Sequence, residues 1–417
     1  MKIEKAYKFK LEPTSEQAEK LAQMAGCGRV VFNDSLEYVL NIIKKSVAIT
    51  DKKVLYKHLN DLAFKDRKLL KKSFPNSAFL NKQLTSWKKL NHRLWLDNAF
   101  TDCLQQRQRD FVKALDEWSK GKRGFPVFRT RKIAHHSTMR FPAPKKQISI
   151  QNKHIKLPNG LGLVRYRNSQ PVIGELRNAT VSLNAVGEWH ISIMCLVEIE
   201  LPTNVQGEIT GIDMGIAKNM TLSTDFCGNK GVFDGIHSFR VYQDKLAIEQ
   251  RKLSRKVLGS ENWKKQKLKV SKLHQRIANI RNDYQHKATS EICKNHAMVI
   301  CEALKVANMS KSAKGDSENL GKNVAAKSGL NKSILDQGWH ELRRQLEYKM
   351  RWKGGVYGEV NPRNTSRECA CCGHIEKDNR KTQAEFICQS CGHSENADKN
   401  AAKVILNRYL HELEQAA

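Results

Sequence analysis

Three acidic residues and four cysteines carry the chemistry open to this chain. Asp213 ends the apolar run in EITGIDMGIAKNMTLST, Glu302 ends AMVICE, and Asp398 lies at the head of NADKNAAKVIL. A carboxylate is normally kept off the end of an apolar strand unless it is paired or binds metal. Three such groups brought together can hold two Mg²⁺ ions about 4 Å apart, one activating water and the other stabilising the leaving 3′-oxygen of a phosphodiester. Singly, each has a plainer role: a turn aspartate, or a charge favouring a helix N-terminus. The reading therefore rests on the set and its placement, strand, strand and helix.

The cysteines stand as Cys369-x2-Cys372 and Cys388-x2-Cys391, fifteen residues apart, each pair followed by glycine. That is a tetrahedral thiolate pattern for Zn²⁺. Four thiolates leave no open position, so this zinc is structural. A segment so polar has little core, and metal supplies much of its folding energy. Cys371 is an extra thiol beside the first pair. His374 and His393 read as residues outside the ligand set. The other cysteines, Cys27, Cys103, Cys195, Cys227, Cys293 and Cys301, are scattered and suggest no disulfide framework.

The positioning elements follow from periodicity. AYKFKL alternates as a strand over residues 6–11, and Thr14-x-x-Gln17 has capping-box spacing before a helix. A second helix is expected from Cys27 to Ile43. Residues 51–122 stay helical and basic, with Phe100, Leu104, Phe111, Leu115 and Trp118 on one face. KGKRGFPVFRTRK, residues 120–132, reads as a linker lying on a phosphate backbone, or a plain exposed loop. Residues 139–198 alternate as strands, and residues 202–207 form a break. Residues 240–296 form a helical hairpin with a seam of Leu273, Ile277, Ile280, Tyr284 and Ala288. Residues 307–332 read as a flexible loop, followed by one helix ending at Gly354-Gly355 and a strand, VYGEV. No internal repeat is evident.

The chain has 417 residues with 73 Lys and Arg against 42 Asp and Glu, a balance of +31. Such an excess points to a polyanionic partner, most often nucleic acid. No apolar run approaches the ~20 residues that span a bilayer. The N-terminus MKIEKAYKFKLEPT lacks the apolar centre of a signal peptide. A cytoplasmic protein is expected, associated with the nucleoid when on DNA and without a membrane partner.

At these motifs the chain resembles the OrfB/TnpB proteins of bacterial insertion sequences, relatives of type V CRISPR effector nucleases. The matching segments are GIDMGIAKNMTLS, ICEALKVANMS, LRRQLEYKMRWKGG, NTSRECACCG, DNRKTQAEFICQSCGH and NADKNAAKVIL, with AYKFKLEPTSEQ, CGRVVFNDSL and GKRGFPVF near the N-terminus. The resemblance implies an α+β multidomain fold. A small β-barrel wedge domain (1–12 and 133–202) carries an inserted helical recognition domain (13–132). A RuvC-like nuclease domain (203–362 and 397–417) carries an inserted zinc ribbon (363–396). It implies a transposon-associated RNA-guided DNA endonuclease, with a guide RNA from the transposon end, a double-stranded target DNA and a short target-adjacent motif. The family's catalytic acids fall on Asp213, Glu302 and Asp398, and its zinc ligands on Cys369, Cys372, Cys388 and Cys391. Ala303 departs from the pattern, which commonly has Asp there, and Cys371 is unusual. Arg380 is a candidate to stabilise charge on the scissile phosphate, or a phosphate clamp or ribbon-surface residue. The alternatives are a non-cutting RNA-guided repressor, against which the retained acids argue, and a transposase acting directly on element ends.

Overall fold

The computed structural model describes residues 1–47, 49–131, 137–142, 147–200, 207–225, 231–315 and 320–416. The expected break at 202–207 lies almost wholly outside them, as do Cys227 and the boundaries at 132/133 and 202/203. The chain forms two compact units, Lys2–Glu198 and Met1 with Ile199–Ala417.

In the first unit, β1 (Lys2–Glu12) buries Ile3, Tyr7, Phe9 and Leu11 and exposes Lys2, Glu4 and Lys8. The strand expected over residues 6–11 thus extends at its N-terminal end. Thr14 caps α1 (Ser15–Ser46), accepting from the Gln17 N–H while the Thr14 N–H donates to Gln17 Oε1. The two helices expected here are one, because a continuous buried stripe through Leu21, Met24, Val31, Leu36 and Ile43 runs past Gly26 and Gly28. Four helices follow: α2 (Lys52–Asp61), α3 (Phe64–Lys71), α4 (Ser77–Lys88) and α5 (Thr101–Ser119). Phe111, Leu115 and Trp118 of α5 pack with Phe32 and Leu36 of α1 and Leu55 and Leu59 of α2. Phe100 lies just before α5 and stacks on Phe141 instead.

The basic run after α5 is not a free linker. Phe125 is buried edge-on against Trp118, and its N–H donates to Asn60 Oδ1. The Arg129 N–H donates to Asn33 Oδ1, its guanidinium lies over the Phe32 ring, and burial lowers that side chain to about 10. Lys132 lies outside the described residues. The remaining strands are β2 (Thr138–Pro142), β3 (Ser149–Gln151), β4 (His154–Leu157), β5 (Gly162–Tyr166), β6 (Glu175–Leu183) and β7 (Trp189–Glu198). They make one antiparallel sheet, β2-β6-β7-β1-β5-β4-β3. At β1 the pairing changes partner: Lys2 to Lys10 pair with β7, and Leu11 and Glu12 with β5. Among the described residues, β2 and β3 are its unpaired edges.

The second unit holds a five-stranded sheet. Three strands lead, β8 (Glu208–Asp213), β9 (Lys218–Leu222) and β10 (Val232–Asp234). The hairpin α6 (Ser238–Ser254) and α7 (Glu261–Asn295) crosses to β11 (His296–Glu302). Then come α8 (Val306–Met309), α9 (Val324–Gln337), α10 (Trp339–Lys353) and β12 (Val356–Val360). The order is β10-β9-β8-β11-β12, with β8, β11 and β12 parallel and β9 and β10 antiparallel to their neighbours. A two-stranded ribbon, β13 (Glu385–Ile387) and β14 (Ser394–Asn396), leads into α11 (Ala397–Ala416).

Three expectations change here. Residues 324–332, read as loop, belong to α9. The helix expected through residue 355 is broken by Gly338 at φ 68°, which separates α9 from α10. On α7, Ile277 is buried against Leu246 and Val270, but Ile280 is exposed. Its seam changes partner there: the first half packs on α6, and Gln285 onward meets the α9–α10 junction, where Gln285 Nε2 donates to the Gln337 and Gly338 carbonyls. No helix among the described residues is long and apolar enough to cross a membrane.

Candidate active site and metal centre

Parallel pairing of β8 with β11 places Ile212 opposite Cys301, so Asp213 and Glu302 come next, side by side, where both strands end. Parallel neighbours in register aim side chains to the same face. The third acid arrives on α11, which packs across β8. Asn396 Oδ1 accepts the Asp398 and Lys399 N–H groups and so starts that helix on a capping side chain. One turn on, Ala402 lies against Gly211 of β8. A Cβ added to Gly211 would stand 2.0 Å from the Ala402 carbonyl oxygen. Gly211 thereby sets how closely Asp398 approaches Asp213. Gly211→Ala is expected to cost about 1–3 kcal/mol by overpacking and to lower nuclease activity further than that loss explains. Urea unfolding and a cleavage assay on the folded variant check this.

The electrostatics show acids crowded together. Burial, with the charges of Glu302 and Asp398, pushes Asp213 up to about 8, against the opposing effect of Arg380 and the Met214 N–H. Burial also raises Glu302, offset by a 2.5 Å hydrogen bond from Thr365 Oγ1 and by the Arg408 charge. Asp398 is half-buried and takes the Arg380 guanidinium at 3.0 Å; the same Nη2 donates to the Gln383 carbonyl. Among the described residues, the cysteine quartet is the only group of three or more such side chains whose ligand atoms all lie within 4.8 Å of one another. The carboxylates fan out more widely, Glu302 towards Thr365 and Asp398 towards Arg380. Burial together with two neighbouring carboxylates holds Asp213 up at about 8, a setting that a divalent cation would relieve. Because the folded value of Asp213 exceeds the unfolded one, its ionisation opposes folding progressively from the ordinary carboxylate range up to about pH 8. In magnesium-free buffer, Asp213→Asn should therefore raise Tm, with the gain growing up to pH 8 and level above it.

The four cysteines form a cluster able to hold a metal ion such as zinc. Cys369 Sγ lies 3.7 Å from Cys391 Sγ, and Cys372 Sγ lies 3.6 Å from Cys388 Sγ. Zn–S bonds of about 2.3 Å imply tetrahedral edges of about 3.8 Å, so the quartet fits. Backbone N–H groups of Cys371 and Cys391 point at Cys369 and Cys388 Sγ. Burial opposes ionising Cys388, but the N–H groups of Cys391 and Ser390 and the neighbouring thiols outweigh it and bring it down to about 6.

The two knuckles are also a repeat, contrary to expectation. CACCGHIE and CQSCGHSE share C-x2-C-G-H-x-E. In each, the first cysteine N–H donates to the histidine carbonyl, the glycine N–H donates back to that cysteine's carbonyl, and the histidine ring faces the glutamate. Gly373 and Gly392 both sit at positive φ, 74° and 71°. His374 and His393 lie outside the quartet. Cys371 is exposed and also outside it.

Sequence reading missed the groups that fasten the ribbon to the sheet, to α11 and to itself. Thr365 holds Glu302. Buried Asn400 on α11 accepts the Ala370 N–H and donates to the Glu368 carbonyl. Buried Asn379 donates to the Arg367 and His374 carbonyls and accepts the Gln389 N–H. An asparagine inside a helix, where it is disfavoured, was the one signal available for Asn400.

An α+β chain with a carboxylate cluster beside a four-cysteine ribbon is the class defined by geometry alone. The OrfB family, described as "Probable transposase", matches residues 192–313; a "Cas12f1-like, TNB domain" matches 339–405; a helix-turn-helix domain of the same family matches 1–46. The chain is 41% identical over 406 residues to "Putative RNA-guided DNA endonuclease InsQ" of Escherichia coli K12, covering 97% of this chain and 92% of that one. It is 28% identical to a "Putative RNA-guided DNA endonuclease" of Streptomyces pristinaespiralis, covering 97% and 89%. It is 24% identical to the "CRISPR-associated endodeoxyribonuclease Cas12f1" of Syntrophomonas palmitatica, covering 50% and 40%. The chain belongs to the OrfB/TnpB family.

Proposed function

We propose that this protein is a transposon-associated RNA-guided DNA endonuclease, cutting by Mg²⁺-dependent phosphodiester hydrolysis. The observation that carries the reading is the meeting of Asp213 and Glu302 at the adjoining ends of β8 and β11 with Asp398 on α11, close enough that both neighbours add to burial in raising Asp213. The relatives' names supply the guided reaction. The sheet order supports a RuvC-like, RNase H-type domain: three leading antiparallel strands followed by two parallel ones, with acids ending the first and fourth and a third acid on the last helix. On this reading the domain spans 203–362 and 397–417, interrupted by a zinc ribbon at 363–396. The wedge (1–12 and 133–202) carries the helical recognition insertion (13–132).

Asp213, Glu302 and Asp398 would hold two Mg²⁺ ions, which when bound would supply an activated water and charge stabilisation at the leaving 3′-oxygen. Thr365 fixes one Glu302 oxygen, leaving the other to face the site. Arg380 balances Asp398 and lies within reach of a phosphate entering beside it. Cys369, Cys372, Cys388 and Cys391 would hold Zn²⁺, which would keep the ribbon folded, and the ribbon would help deliver a single strand to the acids. A balance of +31 suits a guide RNA from the transposon end paired with one strand of double-stranded DNA. Sequence is then read by base pairing, and the protein mainly grips backbone. Such a protein works in the cytoplasm, on the nucleoid. Sequencing RNA that co-purifies with it, then assaying Mg²⁺-dependent cleavage with that RNA, tests the reading. One defined RNA species that directs cutting supports it; purified protein that carries no specific RNA and cuts nothing refutes it.

A further inference from the structure

A cavity of about 810 Å³ in the second unit lies between the start of α6, the C-terminal half of α9 and the turn beyond β8. It is within the range of ligand sites. Ile216 and Ala217, three and four residues past Asp213, line one side, and Gln383 closes another. Gln383 ties the cavity to the acids: its carbonyl accepts from the Arg380 Nη2 that also holds Asp398. A second cavity of about 420 Å³ on the ribbon is also lined by Gln383, with Arg367, Lys377, Arg380 and Lys381. The Arg380–Asp398 pair thus has a cavity on either side of Gln383.

The walls of the larger cavity have two characters. Ile236, Phe239 and Leu330 are apolar; Arg240 and Lys332 are cationic. Its one acid, Asp336, is committed elsewhere. Buried, it accepts Ser238 Oγ at 2.7 Å and the Phe239 N–H at 2.9 Å. Asp336 therefore also satisfies the head of α6, leaving Arg240 and Lys332 as the groups for an anion. The walls are preformed. Gln337 Oε1 accepts Asn219 Nδ2 and the Ile236 N–H, and Gln337 Nε2 donates to the Ile236 carbonyl. These bonds lock α9 to the turn before α6. Leu330 nevertheless stays exposed, at 44%.

We propose that this cavity receives the nucleotide beside the scissile phosphate, unstacked from its strand, its base against Phe239 and Leu330 and its phosphate facing Arg240 and Lys332. This rests on the nuclease reading and adds where the strand is gripped during cutting. Unstacking costs least in a strand already single, which is what guide pairing with the other strand produces. An aromatic and apolar wall binds any base, so the grip does not restrict the target sequence. It fixes the phosphodiester position relative to the acids.

The test uses the full-length protein with its guide RNA and a matching DNA target. Leu330→Glu and Arg240→Gln alter exposed side chains, so folding is preserved. Each is expected to slow cleavage about tenfold, Leu330→Glu through loss of the stacked base's wall and Arg240→Gln through loss of a phosphate contact, with guide and target binding unchanged. An abasic position next to the cut should slow the parent to a similar degree and slow Leu330→Glu no further. If both variants cut like the parent, or if the abasic and variant losses multiply, the cavity does not hold that nucleotide. Cleavage abolished by Asp213→Ala but indifferent to both cavity variants overturns this inference alone. Cleavage that survives Asp213→Ala overturns the nuclease reading beneath it.

Discussion

Asp213→Ala is expected to abolish DNA cutting, by at least about a thousandfold, more than the ten- to hundredfold typical of residues that only support metal ligands. Guide RNA and target binding should stay near the parent's. The reason lies in the register. Asp213 is half-buried at the end of β8, beside Glu302, and burial with the neighbouring carboxylates raises it to about 8. On the proposed function, removing it would delete a metal ligand and relieve crowding in the same step. Fold and activity should therefore move in opposite directions: the metal-free variant is at least as stable as the parent while its activity is lost. A variant that unfolds instead would mean the carboxylate is held for structure.

The second large effect is expected at the ribbon. Structural zinc sites contribute about 10–16 kcal/mol in small peptides, and Cys388→Ser removes one of the four thiols that could hold the metal. Asn400 bonds the Ala370 N–H and the Glu368 carbonyl, so the ribbon anchors the helix that carries Asp398. It also carries Arg380, the ion-pair partner of Asp398. Loosening it should cut cleavage by about a hundredfold, the upper range for support of metal ligands, and leave guide RNA binding close to the parent's. Filter binding and cleavage on the same preparation separate the two. An equal loss of both would make the ribbon a general folding element with no part in placing the acids.

The placement of the acids at element ends and the gathering of the four cysteines were legible in the sequence for physical reasons. An apolar run that ends on a carboxylate is costly unless the charge has a use, and both β8 and β11 end so. Cysteines paired at this spacing suit the tetrahedral geometry of a thiolate-bound metal and little else. α9 was not legible, because its buried face includes Asp336 and Gln337, polar residues satisfied by partners about a hundred positions away in sequence. No periodic apolar pattern announces such a helix. The close approach of Ala402 to Gly211 was equally silent, since a glycine in a strand reads as weakness until the helix above it is seen. The C-x2-C-G-H-x-E repeat was open to view, but counting cysteines alone passes over the histidine and glutamate that complete it. The run after α5 misled because its lysines and arginines draw attention from Phe125, which is fastened into the helical core.

The most direct test of the central claim is retargeting. The protein is freed of bound RNA and resupplied with RNA carrying a replaced guide segment, in Mg²⁺, with a plasmid bearing the new match. The account predicts that the cut moves to the new sequence and is lost without RNA. Cutting that stays at the element ends, or proceeds without RNA, would contradict it.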